Sequence, residues 1–320
     1  MNKIGTAVLG IGIYGEVHVR TYKKDSRTEL ISVWSRTEKH AKEISEKYGC
    51  EYATNLDEIA SDDRIKIVSI ATPDFAHTEP AIKMLEAGKH VLLEKPMAMS
   101  VSECDRIIEA QKKGRGKLMV NFHNRWYPPI KEAKKRIDRD EIGEPVSIYA
   151  RLSDRIDVAT HWLSWAEKSG PHWFLFPHTV DLILWFLGEK KPKAIFAKGK
   201  KGLLFSKGID CYDVVQAQLE FKKCLVSIES SWIVPRGWRN IIDFRMDILG
   251  TKGKIEIEGD KECISITADS YQTPFVLDSV TEDEPIRYFI DCVESGTNPI
   301  PSGEEGKVVT EIIERIEKFL

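Results

Sequence analysis

Three groups of residues in this chain have types and spacing that chemistry uses. Gly10-Ile11-Gly12-Ile13-Tyr14-Gly15 fits G-x-G-x-x-G. Lys95 stands in Glu94-Lys95-Pro96, directly after an apolar run. His178 precedes Asp181 by three residues in an apolar segment. A glycine loop of the first kind cradles phosphates, because free backbone N–H groups and the positive end of a helix dipole converge there. A lysine amine can accept the proton of a reacting hydroxyl and return it in the reverse direction. A histidine can polarise a substrate or relay a proton, and a nearby carboxylate can bind a hydroxyl.

The glycine loop gains weight from its setting, since it follows a strand and opens a helix within the first βαβ unit. Gly10 makes the tight turn, Gly12 lets the backbone approach a pyrophosphate, and Gly15 lets the helix pack on the strand. Ile13 and Tyr14 then lie along the same ligand. About 20 residues further on, a carboxylate would accept hydrogen bonds from an adenosine ribose. The chain reads Val33-Trp34-Ser35-Arg36-Thr37 there, with no acid. Ser35 offers a hydroxyl and Arg36 a planar cation suited to a 2′-phosphate or to stacking on adenine. The expected cofactor is therefore NADP in preference to NAD. The alternative for Arg36 is a solvated residue at a helix start.

These residues need elements to position them. Over the first ~120 residues, short apolar runs alternate with helical patterns, the signal of a parallel sheet. Strands are expected at 6–9, 30–34, 65–71, 90–93 and 117–121, and helices at 16–24, 37–48, 75–86 and 100–112. Lys95 then sits at the carboxyl edge of the sheet, where open α/β folds bind ligands. After Asn121 the texture changes. Pro128-Pro129 precede a short charged helix, and Pro145 opens a strand at 146–152. A tryptophan-rich loop leads into an apolar helix at 173–187. Alternating strands follow at 214–221, 225–234 and 241–249, and a helix at 304–319 closes the chain. The expected fold class is α/β: a Rossmann doubly wound parallel sheet over 1–122, then an α+β substrate and oligomerisation domain over 123–320. That second domain has a large mixed, mostly antiparallel open sheet, and the closing helix packs back on the first domain.

Composition excludes several functions. The net charge is −3 and the charged fraction 30%, so no field gathers nucleic acid or an anionic membrane. The most basic stretch, 131–139, is diluted by Glu132 and Asp138 and reads as a solvated helix face. No window approaches a membrane span, and no secretory leader is legible. The six cysteines are scattered without a C-x-x-C pair, as expected of reduced thiols in a cytoplasmic protein. No His, Asp and Glu spacing suggests a metal.

Further motifs point to one family. Thr72-Pro73-Asp74-Phe75-Ala76-His77 follows one strand, Ala87-Gly88-Lys89-His90-Val91-Leu92-Leu93-Glu94-Lys95-Pro96 spans the next, and Asn124-Arg125-Trp126-Tyr127-Pro128 begins the second half. In this order they resemble the glucose-fructose oxidoreductase/inositol dehydrogenase (Gfo/Idh/MocA) family. The resemblance implies hydride transfer between a nicotinamide and a sugar, polyol or similar secondary alcohol, and a homo-oligomer formed through the C-terminal sheet. It places Lys95 beside the nicotinamide and the reacting hydroxyl, with Thr72, Pro73, Glu94 and Arg125 along the cofactor. His18 and His77 are expected to approach the cofactor, while His40, His90 and His123 are assigned to packing or solvent.

One position departs from the family pattern. An aspartate usually precedes the helix histidine by four residues, and here that position is Phe174. Positions 174, 178 and 181 share a helix face. A carboxylate at 174 could orient the imidazole, whereas phenylalanine cannot, so His178 is expected to position substrate more than to relay protons. Pro177 either kinks this helix or moves its start. His172 lies off that face and could replace the carboxylate only through loop geometry. Trp162, Trp165, Trp173, Phe174 and Phe176 supply aromatic faces for a sugar ring or a more apolar cyclic alcohol, or else fill the core. The expected substrate-binding residues are Asp181, His172, Trp162 and Phe174. The leading expectation is a dehydrogenase with Lys95 as acid/base. Phe174 keeps open a catalytically silent regulator or sensor, and a tightly held cofactor serving net hydrolysis or epimerisation is a third reading.

Overall fold

The computed structural model describes residues 3–259, 263–274 and 282–320. The chain divides into two compact units, residues 1–122 with 281–310, and 123–280 with 311–320. The segment after 281, expected in the second domain, joins the first unit up to residue 310.

The first unit alternates β1 (Ile4–Leu9), α1 (Ile13–Lys24), β2 (Thr28–Trp34), α2 (Glu38–Tyr48), β3 (Glu51–Ala53), α3 (Leu56–Ser61), β4 (Ile65–Ile70), α4 (Thr78–Glu86), β5 (His90–Glu94), α5 (Val101–Gly114) and β6 (Leu118–Asn121). The sheet order is β3-β2-β1-β4-β5-β6, all parallel. It is the doubly wound dinucleotide order, whose direction reverses between β1 and β4. β1, β4 and β5 are nearly continuous buried apolar residues, because helices cover both faces of such a sheet. The brief β3 and α3 lie outside the expected elements, being too short to show a period.

Packing at the β1–α1 turn explains two of the three glycines. Gly10 has φ +82, and a Cβ on it would lie 2.5 Å from the Ala71 carbonyl oxygen. A Cβ on Gly15 would lie 1.9 Å from the Gly10 carbonyl oxygen, so α1 touches the turn itself.

In the second unit, α6 (Pro128–Asp138) leads to β7 (Pro145–Asp154) and the buried helix α7 (Pro171–Leu187). Then come β8 (Ala194–Lys200), α8 (Leu203–Ser206), β9 (Val214–Glu220), β10 (Leu225–Ser231), β11 (Ile242–Gly250), β12 (Lys254–Glu258), β13 (Cys263–Thr267) and β14 (Tyr271–Gln272). The sheet order is β14-β13-β12-β11-β7-β10-β9-β8. It is antiparallel except where β10 runs parallel to β7. Alternating burial along β9 to β12 gives one apolar face, on which α6 and α7 pack, and one polar face. β8 and β14 escape the sequence because most of their residues are exposed. The tryptophan-rich segment, expected as loop, forms a π-helical turn at Val158–Trp162 and a 3-10 turn at Ala166–Lys168.

The chain closes with α9 (Glu284–Ser295) and α10 (Gly303–Glu317). Arg27 bonds Asp291 and Glu294 of α9, and Thr310 Oγ1 donates to Ala98 O at 3.4 Å. Among the described residues no helix is long and apolar enough to cross a membrane.

Gly15→Ala is expected to lower stability by about 2 kcal/mol or more, because backbone cannot yield to the added methyl. Denaturant unfolding checks this, and a loss below about 0.5 kcal/mol would contradict the close seat of α1.

Candidate active site

The cofactor turns belong to the first unit. Gly12 caps α1 without any side-chain hydrogen bond, and a Cβ built on it meets nothing within 4 Å. Ile13 and Tyr14 are exposed beside it. A helix N-terminus with open space at its Gly12 cap fits a pyrophosphate. His40, assigned from the sequence to packing or solvent, packs on the loop, with Nε2 3.0 Å from the Ile11 carbonyl oxygen. At the end of β2, Arg36 is exposed, and the Ser35 hydroxyl accepts the Thr37 N–H at 3.4 Å.

The exits of β4 and β5 are tied together. Thr72 donates its hydroxyl to Ala76 O at 2.9 Å, and Pro73 follows it half-buried. His77, expected to approach the cofactor, is fully buried and braces the turns instead. Its Nδ1 is 2.7 Å from Pro96 O and its Nε2 2.9 Å from Thr72 O. Lys89 of the Gly-Lys-His motif is also structural. Its ammonium donates to Asp62 O at 2.7 Å and Ile65 O at 2.9 Å, and burial holds its proton affinity below that of an ordinary lysine.

Lys95 is 5% exposed and Glu94 6%. One carboxylate oxygen of Glu94 accepts from Asn121 Nδ2 at 2.6 Å and lies 3.0 Å from His18 Nε2. On its other side, His18 Nδ1 is 2.9 Å from Ser69 Oγ, which is 2.6 Å from Tyr22 Oη. Burial pushes the Tyr22 phenol far above its usual range, so it stays protonated. Sequence reading misses Tyr22, Ser69 and Asn121, since a single buried hydroxyl or amide carries no motif.

The second unit holds a separate cluster. α7 begins at Pro171, with Pro177 inside it, so positions 174, 178 and 181 do share a face. Phe174 does not meet His178 through a polar group. Its ring packs against Trp165 and Trp232, with centroids 6.0 and 5.6 Å away. His178 stacks edge-on against His123 at 4.7 Å, a partner assigned from the sequence to packing or solvent.

Arg125 and Asp181, expected on cofactor and substrate respectively, are given to each other. Arg125 Nε donates to Oδ2 at 2.8 Å and Nη2 to Oδ1 at 2.6 Å, both side chains being buried. The guanidinium also lies 5.4 Å from the Trp185 ring centre. A planar fork matching a carboxylate explains the pairing, and the sequence could not show it because the partners are 56 residues apart.

His172, expected at the substrate, stands at the start of α7. It faces Tyr212, at 5.8 Å between ring centroids, and Glu317, at 3.7 Å. With the Trp173 indole N–H, it holds the Glu317 carboxyl below the usual carboxylate range. It fastens the start of α7 to the chain end rather than lying on the face of His178. Trp162 is 47% exposed.

Two family models match these units in order. The NAD-binding Rossmann fold of the GFO_IDH_MocA oxidoreductase family covers residues 4–122, and the GFO/IDH/MocA C-terminal domain covers 130–256. The chain belongs to the Gfo/Idh/MocA oxidoreductase family. Among relatives, it is 28% identical to a myo-inositol 2-dehydrogenase of Thermotoga maritima over 315 residues, 94% of this chain and 91% of that one. It is 24% identical to a 2,7-anhydro-N-acetylneuraminate hydratase of Mediterraneibacter gnavus, over 96% of this chain and 81% of the other. A levoglucosan dehydrogenase solved with NADH and levoglucosan superposes with TM-score 0.89 at 22% identity, covering 99% of this chain and 97% of that one. This Gfo/Idh/MocA chain thus carries the family's NAD-binding Rossmann domain, with a glycine loop whose open Gly12 side fits the cofactor.

Asp181→Ala leaves the buried Arg125 guanidinium without its bidentate partner, and is expected to cost about 3 kcal/mol of stability. Chemical denaturation measures it; a cost under about 1 kcal/mol would mean the pair is solvated and dispensable.

Proposed function

We propose that this protein is an NAD(P)-dependent dehydrogenase acting on a secondary alcohol of a sugar, polyol or related cyclic alcohol, with Lys95 as acid/base. The observation that carries the reading is Lys95 itself, buried at the carboxyl end of β5 in the same Rossmann unit as the open glycine loop. When bound, the nicotinamide supplies hydride exchange with the carbinol carbon. Lys95 takes the hydroxyl proton as the carbonyl forms, and returns it in reduction. Gly10, Gly12, Ile13, Tyr14 and Gly15 hold the pyrophosphate, Ser35 and Arg36 the adenosine ribose, and Thr72, Pro73 and Glu94 line the nicotinamide side. Exposed Arg36, with no acid at the end of β2, favours NADP.

His178 is assigned to substrate by the family pattern, as a positioning group since Phe174 cannot orient its ring, and Phe174 by its aromatic face. Trp162 offers a partly exposed indole face to a sugar ring. The names of the inositol and levoglucosan enzymes support the polyol and sugar class. Phe174 at the family's aspartate position favours one second reading, a cofactor-binding sensor without turnover. Residence in the cytoplasm and assembly into a homo-oligomer through the second unit's sheet complete the proposal.

Lys95→Ala is expected to lower kcat by about a hundredfold or more while NADH affinity changes little; steady-state rates over sugars, polyols and dihydrodiols check this. Full turnover by the variant would remove the assignment. Arg36→Ala is expected to weaken NADPH about tenfold and NADH far less, by fluorescence titration; equal losses would reverse the NADP preference.

A further inference from the structure

Lys95 lies between two residues that buried histidines hold, Glu94 by His18 and Pro96 by His77. The His18 side is determined down to the direction of each hydrogen bond. With Glu94 as a carboxylate, which only accepts, Asn121 Nδ2–H and His18 Nε2–H both donate to its Oε1. With Nε2 carrying the proton, Nδ1 of a neutral ring is an acceptor, and the Ser69 hydroxyl donates to it. The Ser69 oxygen is then left to accept from Tyr22, whose hydroxyl donates. Every proton in the row has an acceptor.

A second proton on the ring breaks this order. Nδ1–H would donate to Ser69 Oγ, and either the Ser69 or the Tyr22 hydroxyl proton would find no acceptor among the described residues. His18, Tyr22 and Ser69 are all at most 1% exposed, so solvent cannot take that proton, and an orphaned buried donor is costly. The row also ends blindly at Tyr22 and so offers no exit for a proton. Its consequence is a fixed orientation of the carboxylate next to Lys95.

We propose that His18, held as the neutral Nε2–H tautomer by Tyr22 and Ser69, is a positioning residue that fixes Glu94 and through it the Lys95 turn. The proposal rests on Lys95 being the acid/base of the dehydrogenase reading. It extends that reading to a helix residue 77 positions away in the chain, one that is only 1% exposed. Asn121, at the end of β6, is the second donor that completes the hold.

The test has two arms on the full-length protein. First, the histidines are labelled with ¹⁵N and the His18 ring is assigned through its own bonds, without added cofactor or substrate. The expected spectrum shows a protonated Nε2 and an unprotonated Nδ1. A ring protonated on Nδ1, alone or with Nε2, overturns the proposal. Second, His18→Gln and His18→Asn are compared for NADH binding and for turnover of the sugar or polyol that the wild-type protein oxidises. The longer amide can still donate to Glu94 and the shorter one cannot reach it. The expected result is NADH affinity near wild type in both, kcat at least tenfold lower in His18→Asn, and most of it recovered in His18→Gln. Wild-type kcat in His18→Asn, or an equal loss in both variants, overturns the positioning role. The spectrum is read without turnover, so the tautomer it reports stands even if no compound is oxidised and the dehydrogenase reading falls.

Discussion

Everything at the candidate site of the first unit depends on how closely α1 approaches the ends of β1, β4 and β5. The helix sits so near the turn that Gly15 has no room for a side chain against the Gly10 carbonyl. That seat has two effects. It sets the start of the helix at Gly12, where a Cβ would meet nothing within 4 Å. It also carries His18 and Tyr22, further along the same helix, into contact with Ser69 of β4 and Glu94 of β5. One packing constraint therefore shapes both the open glycine loop and the setting of the Glu94-Lys95-Pro96 turn. Four buried hydrogen bonds link the polar side chains there, from Asn121 through Glu94 and His18 to Ser69 and Tyr22.

The second unit is built differently. α7 is apolar on nearly every side and mostly buried, as a helix packed on a sheet must be. Its few polar residues are placed with care. Asp181 takes a bidentate guanidinium, His178 an edge-on imidazole, and His172 a carboxylate near the chain end. Phe174 joins Trp165 and Trp232 in an aromatic cluster, and the Trp232 indole donates to Asp154 Oδ2 at 3.1 Å. Phe174 is half-buried, and its ring meets only other aromatic rings at these two contacts. The exchange to phenylalanine is thus consistent with the packing around it.

How much of this is legible in the sequence follows from range. Motifs bounded by a strand end and a helix start are readable, because the glycine loop and the Glu-Lys-Pro turn each depend on neighbours within a few residues. Long apolar or alternating segments are readable too, including α7 and β9 to β11. Short β3 and α3 lack a period, and the exposed β8 lacks an apolar face. Amphipathic α9 and alternating β12 have legible patterns, yet neither is among the expected elements. The least readable features are polar pairs between distant segments, such as Arg125 with Asp181 and His18 with Glu94. A lone polar residue on a helix looks the same whether it meets a ligand or another side chain, and only the tertiary structure distinguishes them.

The central claim is that the chain oxidises an alcohol carbon with Lys95 receiving the proton. Rapid mixing of the protein and oxidised NADP or NAD with a sugar or polyol tests it most directly, by following the near-ultraviolet absorbance of reduced nicotinamide through the first turnover. The account predicts that the absorbance rises for at least one compound, and rises more slowly when the carbinol C–H is deuterated. Firm cofactor binding with no absorbance change for any sugar, polyol or dihydrodiol would contradict it.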